Sequence, residues 1–331
     1  MFGGEIVVEL SAGKDLMVIN GQFVPDIDRS TIPQLLPEEA IKTAIQTVSS
    51  AHEGLNANDF ITSIPELYVY NPIIIGTGAQ MNHLAFRIEV TSSNQNQPVK
   101  DIVLIDADLN IVLLHYNQYE APVSAPQLFY YETSGAIMES FSTIRSAIAD
   151  FNAGKTSSTA LQMLNNPLAF DQPDHKKSVF YQCAVTYQEN GTKVNCGVGN
   201  KAAGLIARGG TFNGMTITPM GFDILTDLLN EAAHLLTHSS TYGDLYDILL
   251  QSCRNLGITD YEPVYNALEA VKMKRPECVE VVRGEGGKIN PCNFGLPVNF
   301  FSMTLNLEIS IGRSLPLQGN SHGLFRKRHH P

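Results

Sequence analysis

The sequence predicts an α+β protein: a small antiparallel sheet carrying one helix, followed by a mainly α-helical bundle lobe. Two observations carry this prediction. Apolar residues alternate in short strand-like runs before residue 118, then recur with a period of about 3.6 beyond residue 128. Between the two regimes, YEAPVSAPQ (119–127) is polar, proline-rich and aperiodic, the composition of a boundary.

In chain order, EIVVEL and LMVING read as two short strands joined by the turn SAGKD, the closing part of a sheet. LLPEEAIKTAIQTV follows as a helix. Pro37 suits its first turn, Glu38 and Glu39 favour its positive end, and Ala40, Ile41, Ala44, Ile45 and Val48 recur at helical spacing. PELYVYNP, HLAFRIEV and VKDIVLID are strands, the last turning through ADLN into IVLLHYNQ as a hairpin. Beyond the boundary, a helix starting near Ser134 carries Ile137, Phe141, Ile144 and Ile148. A second starts near Val198 and stops at the glycines of GLIARGG. GFDILTDLLNEAAHLLTH is a third, with Leu225, Leu228, Leu229, Ala232, Leu235 and Leu236 on one side. Two more centre on Leu245, Ile248 and Leu249, and on Val264, Ala267, Leu268 and Val271. From about residue 275 the pattern deteriorates: VNFFSMTLNLEIS holds one strand, and GNSHGLFRKRHHP reads as a disordered tail.

The chain has 331 residues, 44% of them hydrophobic, enough for sizeable cores in two domains. A net charge of −11, with 33 acids against 22 bases, argues against nucleic-acid binding, which needs a basic face. The basic cluster Arg326, Lys327 and Arg328 reads as a solvated tail. No apolar run is long enough for a membrane span, and MFGGEIVVEL lacks a charged region followed by an apolar one, so the expectation is a cytoplasmic chain if made as written. The five cysteines form no CxxC pair, which excludes a thiolate zinc site of that type. Cys183 and Cys196 flank a Gly/Asn-rich turn, and whether they pair stays open.

YYETSGAIMESFS (130–142), NCGVGNKAAGLIARGGTFNGMTI (195–217), TYGDLYDILLQSC (241–253) and YNALEAVKM (265–273) resemble successive segments of the C-terminal helical lobe of thermolysin-like zinc metallopeptidases. FGGEIVVEL, GQFVPDID, PEEAIKTAI and VLIDADLNIVLLHYNQ resemble the pro-region of such precursors. The resemblance therefore divides the chain into the end of a first pro-region module (1–25), a PepSY-like domain (26–118), a linker (119–127), the helical domain (128–274) and an irregular tail (275–331). In the family the pro-region assists folding and keeps the enzyme inactive until cleavage, zinc and calcium are bound, and the enzymes are extracellular.

The resemblance also implies what is missing. The family places, between these regions, a β-rich lobe ending in an HExxH helix, the source of two zinc-ligating histidines and the water-activating glutamate. Here IVLLHYNQ reaches LFYYETSG through 119–127 alone, and HExxH occurs nowhere. Glu139 falls on the family's third zinc ligand, Tyr130 on a tyrosine that stabilises the tetrahedral intermediate, and Asp150 on one calcium ligand. Lys193 stands where the family has a transition-state histidine, Gln188 for the aspartate orienting it, Gln162 for an arginine and Thr143 for a second aspartate. Without the resemblance, Glu139 reads as a solvated helix glutamate, Tyr130 as a core aromatic and Lys193 as a loop lysine. A rival metal set, Glu231, His234 and His238, lies at i, i+3 and i+7 of one helix.

The expectation is thus a truncated or degenerate zinc metalloendopeptidase precursor that is inactive as written and binds neither zinc nor calcium stably. The alternative is a non-enzymatic inhibitor or folding assistant acting in trans on an intact metallopeptidase. Expected partners are accordingly such a protease or peptide substrates. A helical lobe without its companion is also expected to expose apolar surface and to associate.

Overall fold

The computed structural model describes residues 1–11, 13–22, 24, 27–75, 81–94, 97–118, 128–182 and 191–274, and the backbone of 325–328. All of these belong to one compact unit made of 1–279 and 323–331. The predicted linker 119–127, the predicted strand in 298–310, Cys183 and Gln188 lie outside the described residues.

Helix α1 (Pro37–Ala51) starts as its sequence demands, with Pro37 in the first turn and the Glu39 carboxylate accepting the Leu36 N–H at 3.4 Å. Its buried stripe, Ala40, Ala44 and Val48, is small, which lets it lie close on a sheet. That sheet is antiparallel: β3 (Phe60–Thr62) and β4 (Glu66–Tyr70) both pair with β5 (His83–Ser92), followed by β6 (Lys100–Asp106) and β7 (Val112–Asn117). Alternation sorts the side chains to two faces. Leu84, Phe86, Ile88, Val90, Val103 and Ile105 form one core with α1. Tyr70, Ala85, Ile102, Leu104, Leu114 and Tyr116 form the other with Phe2, against which Phe129 and Tyr131 pack.

The ADLN turn has a defined cause. Asp106 Oδ1 accepts the N–H groups of Asp108 (2.8 Å) and Leu109 (3.0 Å), and Asn110 takes φ 55°. The three-residue β3 is absent from the sequence reading because it is too short for alternation to register.

The helical lobe comprises α2 (Glu132–Asn152), α3 (Thr159–Asn165), α4 (Thr192–Asn195), α5 (Gly197–Arg208), α6 (Gly221–Leu235), α7 (Tyr242–Asn255) and α8 (Glu262–Ala270) around one apolar core. A hairpin, β8 (Gly210–Phe212) and β9 (Met215–Ile217), adjoins α8. Its turn is Asn213-Gly214, both with positive φ (47° and 81°), the pairing such tight hairpins select. The structure shifts two helix ends. α2 begins at Glu132 rather than Ser134. α6 stops at Leu235 rather than running to His238, because Thr237 and Ser240 close a side-chain turn of their own, with Thr237 N–H on Ser240 Oγ at 2.9 Å.

At the start of the chain, β1 (Glu5–Leu10) and β2 (Leu16–Gln22) form the predicted antiparallel pair. The predicted disordered tail is corrected in part: β10 (Phe325–Arg328) pairs in parallel with β1, Ile6 opposite Phe325 and Glu9 opposite Arg328. An unpaired β1 edge offers backbone donors and acceptors, and pairing with them requires no apolar pattern in the incoming strand. No described helix is long and apolar enough to cross a membrane.

Candidate functional site

Glu139 lies near the start of α2, and the small residues ahead of it decide its surroundings. A Cβ on Gly135 would stand 2.3 Å from Thr192 Cγ2, and one on Gly199 would stand 2.3 Å from Ser140 Oγ. Only glycine at these two positions lets α4 and α5 approach α2 so closely. The crossing puts Cys196, the residue joining α4 to α5, within reach of the Glu139 charge. Burial first, and that charge second, push the Cys196 thiol up to about 12. The thiol donates to Lys193 O at 3.1 Å, and Asn200 Nδ2 is 3.9 Å from its sulfur.

Tyr130 and Glu139 are brought together. Tyr130 is 2% exposed, and its hydroxyl donates to Glu139 Oε1. Its ring belongs to the main apolar core, as the reading of Tyr130 as a core aromatic expects. Lys193 sits exposed on α4, a position fixed by its neighbours. Asn195 clamps Gln182, accepting its N–H at 2.9 Å and donating to its carbonyl at 2.6 Å, and Tyr242 Oη donates to Asn195 O at 2.8 Å.

The other predicted positions lie elsewhere. Asp150, near the far end of α2, accepts Lys155 Nζ at 2.7 Å; that bond and one from Ser158 hold its carboxyl below the ordinary range. Gln162 is exposed and donates to Ser157 O, and Thr143 is half-buried on α2. The rival metal set is not assembled. With α6 ending at Leu235, His238 leaves the helical face and places Nδ1 2.6 Å from Glu5 Oε2, while Glu231 accepts Asn255 Nδ2 at 2.6 Å.

The residues around Glu139 do not fit a zinc ion. Its hydrogen bond comes from a phenol, the nearby Cys196 thiol is pushed up by burial and by the Glu139 charge, and tetrahedral zinc sites draw on three or more His, Cys, Asp or Glu ligands. No such group of three stands together anywhere among the described residues. Sequence reasoning missed that Cys196 comes within reach of the Glu139 charge and that Ser140 meets Gly199. The available signal was the small-residue runs SGA and GVG, which mark close helix crossings without naming their partners.

Comparison with known proteins agrees with this lobe. Residues 126–273 match the family model described as thermolysin metallopeptidase, alpha-helical domain. The chain is 31% identical over 174 residues to a zinc metalloproteinase of Renibacterium salmoninarum, covering 44% of this chain and 32% of that protein. It is 34% identical over 124 residues to a bacillolysin of Brevibacillus brevis, covering 34% of this chain and 22% of that one. A thermolysin of Alicyclobacillus acidocaldarius is 28% identical over 151 residues, covering 41% of this chain and 27% of that one. The helical half of the molecule is therefore related to the thermolysin-type metallopeptidases. The chain spans about a third or less of the length of these relatives.

Proposed function

We propose that this chain is a degenerate relative of thermolysin-like zinc metalloendopeptidases that does not hydrolyse peptides. The observation that carries the reading is the bond from Tyr130 to Glu139. At the family's zinc-ligand position, the carboxylate is engaged by the phenol expected to face a reaction intermediate, and the expected histidine is Lys193. Lysine at that place presents a cation on a flexible stem rather than an imidazole that exchanges protons near neutrality. Zinc-assisted hydrolysis needs a metal-bound water and a general base beside it, and HExxH, their usual source, is absent from the sequence. The test is metal content of the dialysed chain together with casein hydrolysis on the same sample. The expected result is no retained zinc and no cleavage; near-stoichiometric zinc with chelator-sensitive cleavage overturns the reading.

The second reading is a trans-acting partner of an intact metallopeptidase, as inhibitor or folding aid. What favours it is the complete helix-on-sheet core of residues 37–117, which does not depend on a catalytic centre. Mixing the chain with an active thermolysin tests it: slowed proteolysis or a higher refolding yield is expected, and no change in either sinks it.

A further inference from the structure

Residues 1–22 are fastened to the helical lobe differently from the rest of the chain. α1 and the five-stranded sheet close over one apolar core, and the helices over another. Of the described residues in 1–22, only Phe2 and Val18 join an apolar cluster, while Leu16 and Ile19 of β2 are 55% and 51% exposed. Polar bonds join it to the helical lobe, most of them on the corner between α6 and α7 and one at the far end of α7. Asn20 Nδ2 donates to Leu235 O at 2.7 Å, and Gln22 Nε2 to Asp244 Oδ2 at 2.8 Å. Ser239 Oγ donates to Gly3 O at 3.0 Å, and Asn255 Nδ2 to Glu9 Oε2 at 3.0 Å. Glu5 Oε2 accepts the His238 N–H at 3.1 Å and lies 2.6 Å from its Nδ1. Each such bond is of modest net worth, because the opened groups bond to water instead. A segment held this way opens at lower cost than one buried in a core.

The corner leads directly to the candidate site. The carbonyl of His238, whose N–H and ring Glu5 holds, accepts the N–H of Phe129 at 2.7 Å. Phe129 precedes Tyr130, whose hydroxyl reaches Glu139. We propose that the β1/β2 pair is a clasp that opens on the α6/α7 corner without global unfolding, and that its closure fixes the backbone leading into Tyr130 and Glu139. Opening releases His238 from Glu5, loosens the 237–240 turn and frees the Phe129 N–H, so the backbone before Tyr130 loses one of its anchors. This inference does not rest on whether the chain binds zinc.

Native-state hydrogen exchange on the full chain tests it. The amides of residues 16–22 are expected to exchange at least about tenfold faster than those of α5 and β6, with little dependence on denaturant. His238→Ala is expected to speed exchange at residues 5–22 and at Phe129 by about tenfold or more, leaving β6 unchanged. If that variant does not fold, Glu5→Gln, which preserves shape, gives the same comparison. Exchange of residues 16–22 at the α5 rate, with the denaturant dependence of global unfolding, overturns the clasp. Acceleration at residues 5–22 with Phe129 unmoved overturns its link to Tyr130.

Discussion

Tyr130 shows how one position serves two chemistries. Its ring fills the core of the helical lobe and its hydroxyl reaches out to a half-buried carboxylate, so its loss is felt at both ends. Tyr130→Phe keeps the ring and removes the hydroxyl that bonds Glu139. It is expected to cost about 1 to 2 kcal/mol, measured by urea unfolding, and an unchanged midpoint would contradict the contact. Ser140, one residue beyond Glu139, has the opposite sign. Its buried hydroxyl has no hydrogen-bond partner among the described residues, so Ser140→Ala removes a desolvated polar group and is expected to be neutral or to stabilise by up to about 1 kcal/mol. A loss above that range in the same unfolding experiment would mean that the hydroxyl is satisfied. At this scale the sequence identified Glu139 and Tyr130 as noteworthy and gave no sign that they touch. They are nine positions apart, one ahead of α2 and one inside it, so no helical spacing links them.

At the scale of elements, strong periodicity was legible and short or side-chain-directed structure was not. The α1 stripe and β4 to β7 follow the spacing of their apolar residues. β3 and the short α4 are brief, and the β8/β9 hairpin carried an Asn-Gly turn signal in TFNGMTI, a stretch assigned to no element from the sequence. The β6/β7 turn supplies a pH prediction. Burial pushes the Asp106 carboxyl up, but the Asp108 and Leu109 N–H groups and His83 outweigh it and hold it below its ordinary value. A group depressed in the folded state contributes stability above its unfolded value, about 3.9, and that contribution disappears as pH falls through the folded value. Asp106→Asn is therefore expected to flatten the acid limb of the thermal stability profile below about pH 4. A profile parallel to the native one throughout would refute the assignment.

Over the whole molecule, the least legible features are contacts between distant parts of the chain. Glu5 meets His238 across a separation of 233 positions, and neither alternation nor helical period encodes such a pairing. Single apolar side chains of the helical lobe are exposed, notably Val179 at 94%, and the Leu235 to Asp244 corner takes bonds from β1 and β2. Phe2 connects these parts. It stacks on Phe129 at 4.8 Å, lies edge-on to Tyr68 and Tyr70, and donates its N–H to Val69 O. Phe2→Ala is expected to cost about 3 kcal/mol and to separate the unfolding of the helical lobe from that of the sheet when far-ultraviolet dichroism and tyrosine fluorescence are compared. Coincident transitions with a loss below about 1 kcal/mol would remove Phe2 from that role.

The Asn213-Gly214 turn also limits how long the molecule keeps its covalent identity. Asparagine followed by glycine is the pair most prone to intramolecular attack of the next backbone nitrogen on the side-chain amide, with loss of ammonia. Here the amide nitrogen that would leave donates to Ala270 O at 2.9 Å, which ties the hairpin to the end of α8. Ageing at this position replaces a donor with a carboxylate facing a carbonyl oxygen. Storage of the protein thus erodes the join between β8/β9 and the last helix, and adds one negative charge for each molecule altered.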